Sequence, residues 1–304
     1  MDPIMLQIGP IAIRWYGFLI AAGVLFGSLW ATRLAPKRGV DADKLLDAAP
    51  LLVLAGIVGA RLLYVITSPS AFFGPAGSPL DAFKVWQGGI SIHGGILGIV
   101  IALWIYARVR KMNMWSALDV LTPVGAFGII GGRIGNFMNG SDTGGRLTDW
   151  PIGFAWPEAG TATFGAFGRL VFGEPLWLYA PPVCSTLPAG QPCVVHLTPL
   201  YGALIGVILI GVVLWALRRT KAPGFAFWQF VLWYSVLRSL AEEPFRDNPL
   251  FWPVFLNESA GIGAFTLTQL VSIPIVLVAI YLLFTMDPDS ADKRERLSMR
   301  ARGR

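Results

Sequence analysis

The chain predicts an all-α integral membrane protein of seven transmembrane helices, and three observations carry that prediction. Of its 304 residues 55% are hydrophobic and only 14% are charged, where soluble domains carry about 25% charged residues. Its apolar runs match the roughly 17–25 residues that cross a bilayer. Its basic residues gather on alternate connections between those runs, the asymmetry that orients membrane proteins.

The runs are residues 14–34, 45–67, 90–108, 117–137, 199–217, 224–241 and 265–285. Glycine and arginine interrupt the first and fourth, which softens their limits. One set of connections holds Arg33, Lys37, Arg38 and Lys44, then Arg108, Arg110 and Lys111, then Arg218, Arg219 and Lys221. With the tail residues Lys293, Arg294, Arg296, Arg300, Arg302 and Arg304, that side carries sixteen of the 24 Lys and Arg residues. The opposite connections carry Lys84, Arg146, Arg169 and Arg246. The N-terminus is therefore expected outside and the C-terminus inside.

The net charge of +6 follows from this bias, with anionic inner-leaflet lipid near the tail, and calls for no nucleic acid. Met1 to Ile13 contain one acid and no base, so a cleaved signal peptide is not expected and the first span is retained.

This gives four regions. Residues 1–137 hold helices 1–4, 138–198 an external head segment, 199–285 helices 5–7, and 286–304 a basic tail on the inside. The head segment is rich in Gly, Pro and aromatics, as in Trp150-Pro151-Ile152-Gly153-Phe154. It is too long for a bare linker and is expected to fold as a small cap. A second outside loop, 242–264, carries Glu242, Glu243, Arg246, Asp247 and Glu258. The tail from Asp287 is charged and expected to be disordered. Cys184 and Cys193 both fall in the head, where an external disulfide and two free thiols are both open readings. No Cys/His spacing of a metal site is present.

Four arginines, Arg14, Arg61, Arg133 and Arg238, lie inside or at the edges of the apolar runs. An intramembrane arginine costs about 2.5–3.5 kcal/mol at a helix centre and needs a partner or a task. Arg133 lies about 24 Å up its helix from the inside and Arg238 about 21 Å up its own. Arg61 falls near the outer end of its span, and Arg14, Tyr16, His93, Tyr201 and Gln269 near the outer starts of theirs. Asp119 is the main exception on the inner side. A transporter needs polar lining on both sides of the midplane and often shows repeats with broken helices. This chain shows neither, so the bias points to a one-sided cavity for an anion in the outer leaflet.

The densest motif is Gly131-Gly132-Arg133-Ile134-Gly135-Asn136-Phe137-Met138-Asn139-Gly140. Its glycines permit close helix approach and are expected to let the backbone unwind near the interface. One guanidinium and the amides of Asn136 and Asn139 make a set for phosphate and hydroxyls. The plain alternative is a packing seam whose arginine snorkels. Trp86-Gln87-Gly88-Gly89-Ile90-Ser91-Ile92-His93-Gly94-Gly95 brings a histidine into a span between two Gly-Gly pairs. His93 is either a satisfied structural donor or a base toward a thiol or hydroxyl. Tyr234, Arg238 and Glu242 recur at i, i+4 and i+8 and share a face. Glu242 then neutralises Arg238 or holds it for a ligand. Ile8-Gly9-Pro10-Ile11-Ala12-Ile13-Arg14-Trp15-Tyr16-Gly17 carries an interfacial Trp-Tyr pair of ordinary belt composition.

Together these segments resemble the prolipoprotein diacylglyceryl transferase family of bacterial inner-membrane enzymes. The resemblance runs from Ile8 to about Ala279 and includes Arg14-Trp15-Tyr16-Gly17, His93-Gly94-Gly95, and Gly132 to Phe137 with Asn139-Gly140. It continues through His196 with Tyr201, Tyr234/Arg238/Glu242, and Gln269-Leu270-Val271-Ser272-Ile273-Pro274. It implies seven transmembrane helices, an external N-terminus and a head between helices 4 and 5. It also implies transfer of the diacylglyceryl group of phosphatidylglycerol to the lipobox cysteine of a prolipoprotein signal peptide. The products are a thioether and glycerol 1-phosphate.

By resemblance Arg133 binds phosphatidylglycerol, Arg238 is the second essential arginine, and His93 is the base; these are the expected catalytic residues. Tyr16, Asn136, Asn139, Tyr201, Arg61, Tyr234 and Glu242 are expected to line the substrate site. The partners are membrane lipid and the signal peptide, and no cofactor, nucleotide or metal is implied. Two positions depart from the family pattern. Ser141 follows Asn139-Gly140, with Asp142 one place later, and Gly202 follows Tyr201 where the family has a carboxylate. The competing readings are an anion or lipid transporter and a non-catalytic lipid-binding relative.

Overall fold

The computed structural model describes residues 4–9, 11–74, 77–85, 89, 91–139, 145–156, 162–163, 176–177, 182–188, 191–220 and 222–286. The tail, Ser141 and Asp142 lie outside them. So do the side chains of His93 and Asn139, although both residues sit in helical backbone.

Among the described residues the long helices are α1 (Trp15–Leu34), α2 (Ala42–Thr67), α3 (Ile92–Val109), α4 (Met114–Asn139), α5 (Thr198–Arg219), α6 (Phe225–Leu237) and α7 (Leu267–Thr285), with a single short α-helical turn at Ser70–Phe73. Five segments among the described residues are long and apolar enough to cross a membrane: Trp15–Arg38, Ala42–Thr67, Met114–Met138, Thr198–Arg219 and Leu267–Thr285. The expected third span is continuous α-helix over the 18 residues Ile92–Val109, while the expected sixth is shorter as continuous α-helix, for a local reason. The sixth leaves α-helix at Leu237 and continues as a π-turn over Arg238–Glu242.

The connections are not all irregular. Small antiparallel pairs form between β1 (Ile4–Ile8) and β2 (Ile11–Arg14), and between β3 (Phe154–Trp156) and β6 (Cys193–Val195). Further pairs join β4 (Ala162–Thr163) with β5 (Leu176–Trp177), and β7 (Leu250–Asn257) with β8 (Ile262–Thr266). The loop expected at 242–264 is thus largely a hairpin.

The chain packs as two compact units, residues 31–120 and residues 1–30 with 121–304. In the first, α2 and α3 meet through glycine. A Cβ on Gly94 would strike the Gly59 carbonyl, and one on Gly98 the Ala55 carbonyl. Between membrane helices the driving force is van der Waals contact, so small residues that admit a neighbouring backbone make the interface. Asp41 caps α2, accepting from the amides of Asp43 and Lys44. Asp119, the acid expected on the inner side, is fully buried and pairs with Arg38 at 3.7 Å. Its burial is therefore compensated.

In the second unit α4 is packed on two faces. Toward α1, a Cβ on Gly131 would meet the Leu19 carbonyl and one on Gly135 would lie 2.9 Å from the Tyr16 Cα. Toward α5 and α6, Ala126, Ile205 and Leu209 form a buried cluster joined by Phe230 and Tyr234. The expected unwinding of the glycine motif does not occur. Helix α4 runs unbroken to Asn139, because its glycines are used for close packing and the backbone bonds of the helix remain the cheapest partners in an apolar medium.

Cys184 and Cys193 form a disulfide with a Cα–Cα distance of 5.5 Å. Cys193 and Val195 are packed against Trp15, Phe137 and Met138, which fixes β6 over the last turn of α4. Replacing Gly94 with valine should cost about 1–3 kcal/mol by overpacking, read as a lower Tm and loss of the monodisperse peak of detergent-purified protein.

Candidate functional site

The second unit gathers five charged side chains. Arg133 comes from α4, and Arg238, Glu242, Glu243 and Arg246 from the segment that follows α6. The π-turn holds that segment in shape. It widens the last turn, and the freed Ser239 carbonyl accepts a 2.8 Å hydrogen bond from the Gln269 amide of α7. Gln269 also completes the capping box of α7 with Thr266. Single π-turns of this kind are frequent at functional sites.

Glu242 is 1% exposed and Glu243 is fully buried. One oxygen of Glu242 lies 2.7 Å from Arg133 Nη2, 3.2 Å from Arg238 Nη1 and 3.2 Å from Arg246 Nη1. Glu243 Oε2 is 3.3 Å from Arg238 Nη2 and 4.0 Å from Arg246 Nε. Its other oxygen accepts from Asn248 Nδ2 at 2.7 Å and Thr266 Oγ1 at 3.0 Å. Among the described residues three guanidinium groups converge on two buried carboxylates, and such a gathering of N–H donors is suited to an oxyanion such as phosphate.

Arg133 reaches this cluster because Gly202 has no side chain. A Cβ there would lie 2.6 Å from Arg133 Nε and 2.8 Å from Cδ. Gly202 is thus the bed of Arg133, which takes a counter-charge from Glu242. Beside it, Tyr201 donates to His196 Nδ1 at 3.0 Å, while His196 Nε2 donates to the Ala260 carbonyl at 2.8 Å. Rings of Tyr201, His196, Phe245 and Trp150 pack together. Burial lowers the pKa of His196, partly offset by its bond to Ala260, so the imidazole is neutral and locks the Tyr201 hydroxyl.

The other expected site residues divide. Tyr16 packs on Gly135 and keeps 37% exposure, and Asn136 is half-buried one turn after Arg133. Tyr234 lies with its ring stacked on Phe230. Arg61 belongs to the other unit. Its guanidinium donates to the carbonyls of Asp81, Ala82 and Gly89 and lies 5.0 Å from the Phe72 ring centroid. That geometry makes it a tie for the connection after α2. His93 also belongs to that unit, at the start of α3. Arg14 ends β2 and is exposed. Glu243, Arg246 and Gly202 were not singled out as site residues from the sequence. The spacing Arg238, Glu242, Arg246 continues the i+4 series and was the available signal for Arg246.

The profile of the family described as "Prolipoprotein diacylglyceryl transferase" matches residues 3–285. The chain belongs to this family. A protein of Thermus thermophilus named phosphatidylglycerol–prolipoprotein diacylglyceryl transferase is 46% identical over 290 residues, covering 95% of this chain and all of the other. Its namesake in Deinococcus radiodurans is 42% identical over 94% of this chain and 86% of its own. One from Vibrio cholerae is 31% identical over 93% and 90%.

Two outcomes follow. Gly202→Ala should lower the transferase rate about tenfold or more, about 1.4 kcal/mol, because Arg133 has to move off its bed, while Tm changes little. His196, held neutral, contributes stability that is complete above its unfolded pKa of about 6.5. That contribution is lost as pH falls below 6.5 toward the lowered folded value, since only the unfolded chain then takes up the proton. Between pH 7.5 and 5 the Tm should fall further for the parent protein than for His196→Gln.

Proposed function

We propose that this protein transfers the diacylglyceryl group of phosphatidylglycerol to the lipobox cysteine of a prolipoprotein, releasing glycerol 1-phosphate. The buried cluster of Arg133, Arg238 and Arg246 against Glu242 and Glu243 carries this reading. It offers several converging guanidinium donors to a phosphodiester. The names of the relatives supply the two substrates. The cysteine sulfur attacks the glycerol carbon bearing the phosphodiester, the C–S bond forms, and the C–O bond breaks with its electron pair going to phosphate.

An alkyl phosphate leaves readily when fixed cations meet its developing charge. Preorganised donors in a site that excludes water do this without reorganisation at the moment of reaction. Arg133 and Arg238 take that role in this reading. Asn136 and Asn139 are assigned to the glycerol hydroxyls, and Tyr16, Tyr201 and Tyr234 to the surrounding site. A free thiol has a pKa of about 8.5, so a base or a positive field has to raise the thiolate fraction. His93 is proposed as that base.

The bilayer arrangement in this reading is seven spans, with the N-terminus outside, the C-terminus inside and residues 138–198 as an external head, in the inner membrane of a bacterium. The chain's sixteen basic residues on one set of connections support the orientation. The 18 residues from Phe225 through Glu242, α-helix then π-turn, support a sixth crossing. Both substrates diffuse in the membrane, so they enter sideways between helices.

Purified protein with phosphatidylglycerol and a lipobox-cysteine peptide should show peptide mass gain matched by release of glycerol 1-phosphate. Arg133→Ala should reduce the rate about 10²–10³-fold. Arg133→Lys should also fail, because an ammonium cannot offer a planar fork to two phosphate oxygens. Lipid bound without transfer would instead identify a lipid-binding relative.

A further inference from the structure

The three arginines are not held alike. Arg238 and Arg246 lie on the same segment as both glutamates and are each within 4.0 Å of Glu242 and Glu243. Arg133 comes from a different helix and joins the cluster through Glu242, in its shortest ion pair at 2.7 Å. One carboxylate oxygen thus gathers three guanidinium groups, the same demand that a phosphate oxygen makes on N–H donors.

We propose that Glu242 is an exchangeable counter-anion, a stand-in for substrate phosphate on Arg133. The proposal rests on the transferase reading above. In the resting protein Glu242 occupies Arg133 and keeps its guanidinium aimed over Gly202. When a phosphodiester arrives, Arg133 turns to it, and Glu242 stays with Arg238 and Arg246 at i+4 spacing on its own segment. After the C–O bond breaks, Glu242 returns to Arg133 and competes the phosphomonoester off. Glu242 acts through Arg133 and is a positioning residue. Glu243, fixed by Asn248 and Thr266, keeps Arg238 and Arg246 in place during the exchange.

The test uses full-length protein in detergent, the variants Glu242→Gln and Glu242→Asp, and two probes, glycerol 1-phosphate and a short-chain phosphatidylglycerol. Removing the competitor should tighten phosphate binding about tenfold in Glu242→Gln and raise the Tm gained on adding glycerol 1-phosphate. In turnover, KM for phosphatidylglycerol should fall together with kcat, as product release slows. Glu242→Asp keeps the charge but shortens its reach, so it should show the same tightening and decides the matter if the Gln variant does not fold. A structural ion pair alone predicts lower Tm with equal or weaker phosphate binding in both variants, and that result overturns the proposal. Tightening confined to the lipid assigns the exchange to substrate loading, and tightening for glycerol 1-phosphate assigns it to release. Binding is read without turnover. A parent protein that transfers no lipid therefore sinks the transferase reading separately, and one that transfers while neither variant tightens sinks the exchange alone.

Discussion

One carboxylate oxygen of Glu242 balances three guanidinium groups, and the surrounding structure is arranged to permit it. Charges of one sign repel strongly where the dielectric is low, and Arg133, Arg238 and Arg246 converge around that anion. Glu243 fixes the second layer through Asn248 and Thr266. Gln269 in turn holds the π-turn that aligns Arg238 with Glu242. Removing Glu242 leaves buried charge unpaired, a loss of about 3–5 kcal/mol in comparable cases.

The second constraint is the absence of side chains where helices meet. Gly131 and Gly135 admit α1 on one face of α4, while Gly202 and Gly206 on α5 admit Arg133 and Ile130 on the other. The glycine motif therefore does two jobs at once. It makes a packing seam on one face, and through that seam it sets the angle at which Arg133 leaves the helix. The choice between seam and site posed by the sequence alone is not a real alternative here, because helical periodicity sends Gly131 and Gly135 one way and Arg133 another.

The covalent and hydrogen-bonded ties of the head work toward the same end. The Cys184–Cys193 disulfide and Val195 pack on Phe137 and Met138, immediately after Asn136. His196 connects the end of β6 to Tyr201 of α5 and to Ala260 beyond β7. Segments far apart in sequence are thereby fastened around the C-terminal end of α4, where the arginine cluster lies.

The sequence by itself determined the membrane class, because hydropathy and the distribution of basic residues are properties of composition along the chain. It also marked Arg133 and Arg238 as charges in need of partners and paired Arg238 with Glu242, since a charge in an apolar run demands a partner and i+4 spacing names one. Only the tertiary structure decided that Glu242 serves Arg133 as well, that Glu243 and Arg246 complete the cluster, and that Arg61 is spent on backbone carbonyls. It also decided between free thiols and a disulfide for Cys184 and Cys193, and between unwinding and continuous helix at Gly131–Gly135. Each depends on which groups from distant segments meet in space, and spacing along one segment records only neighbours on that segment.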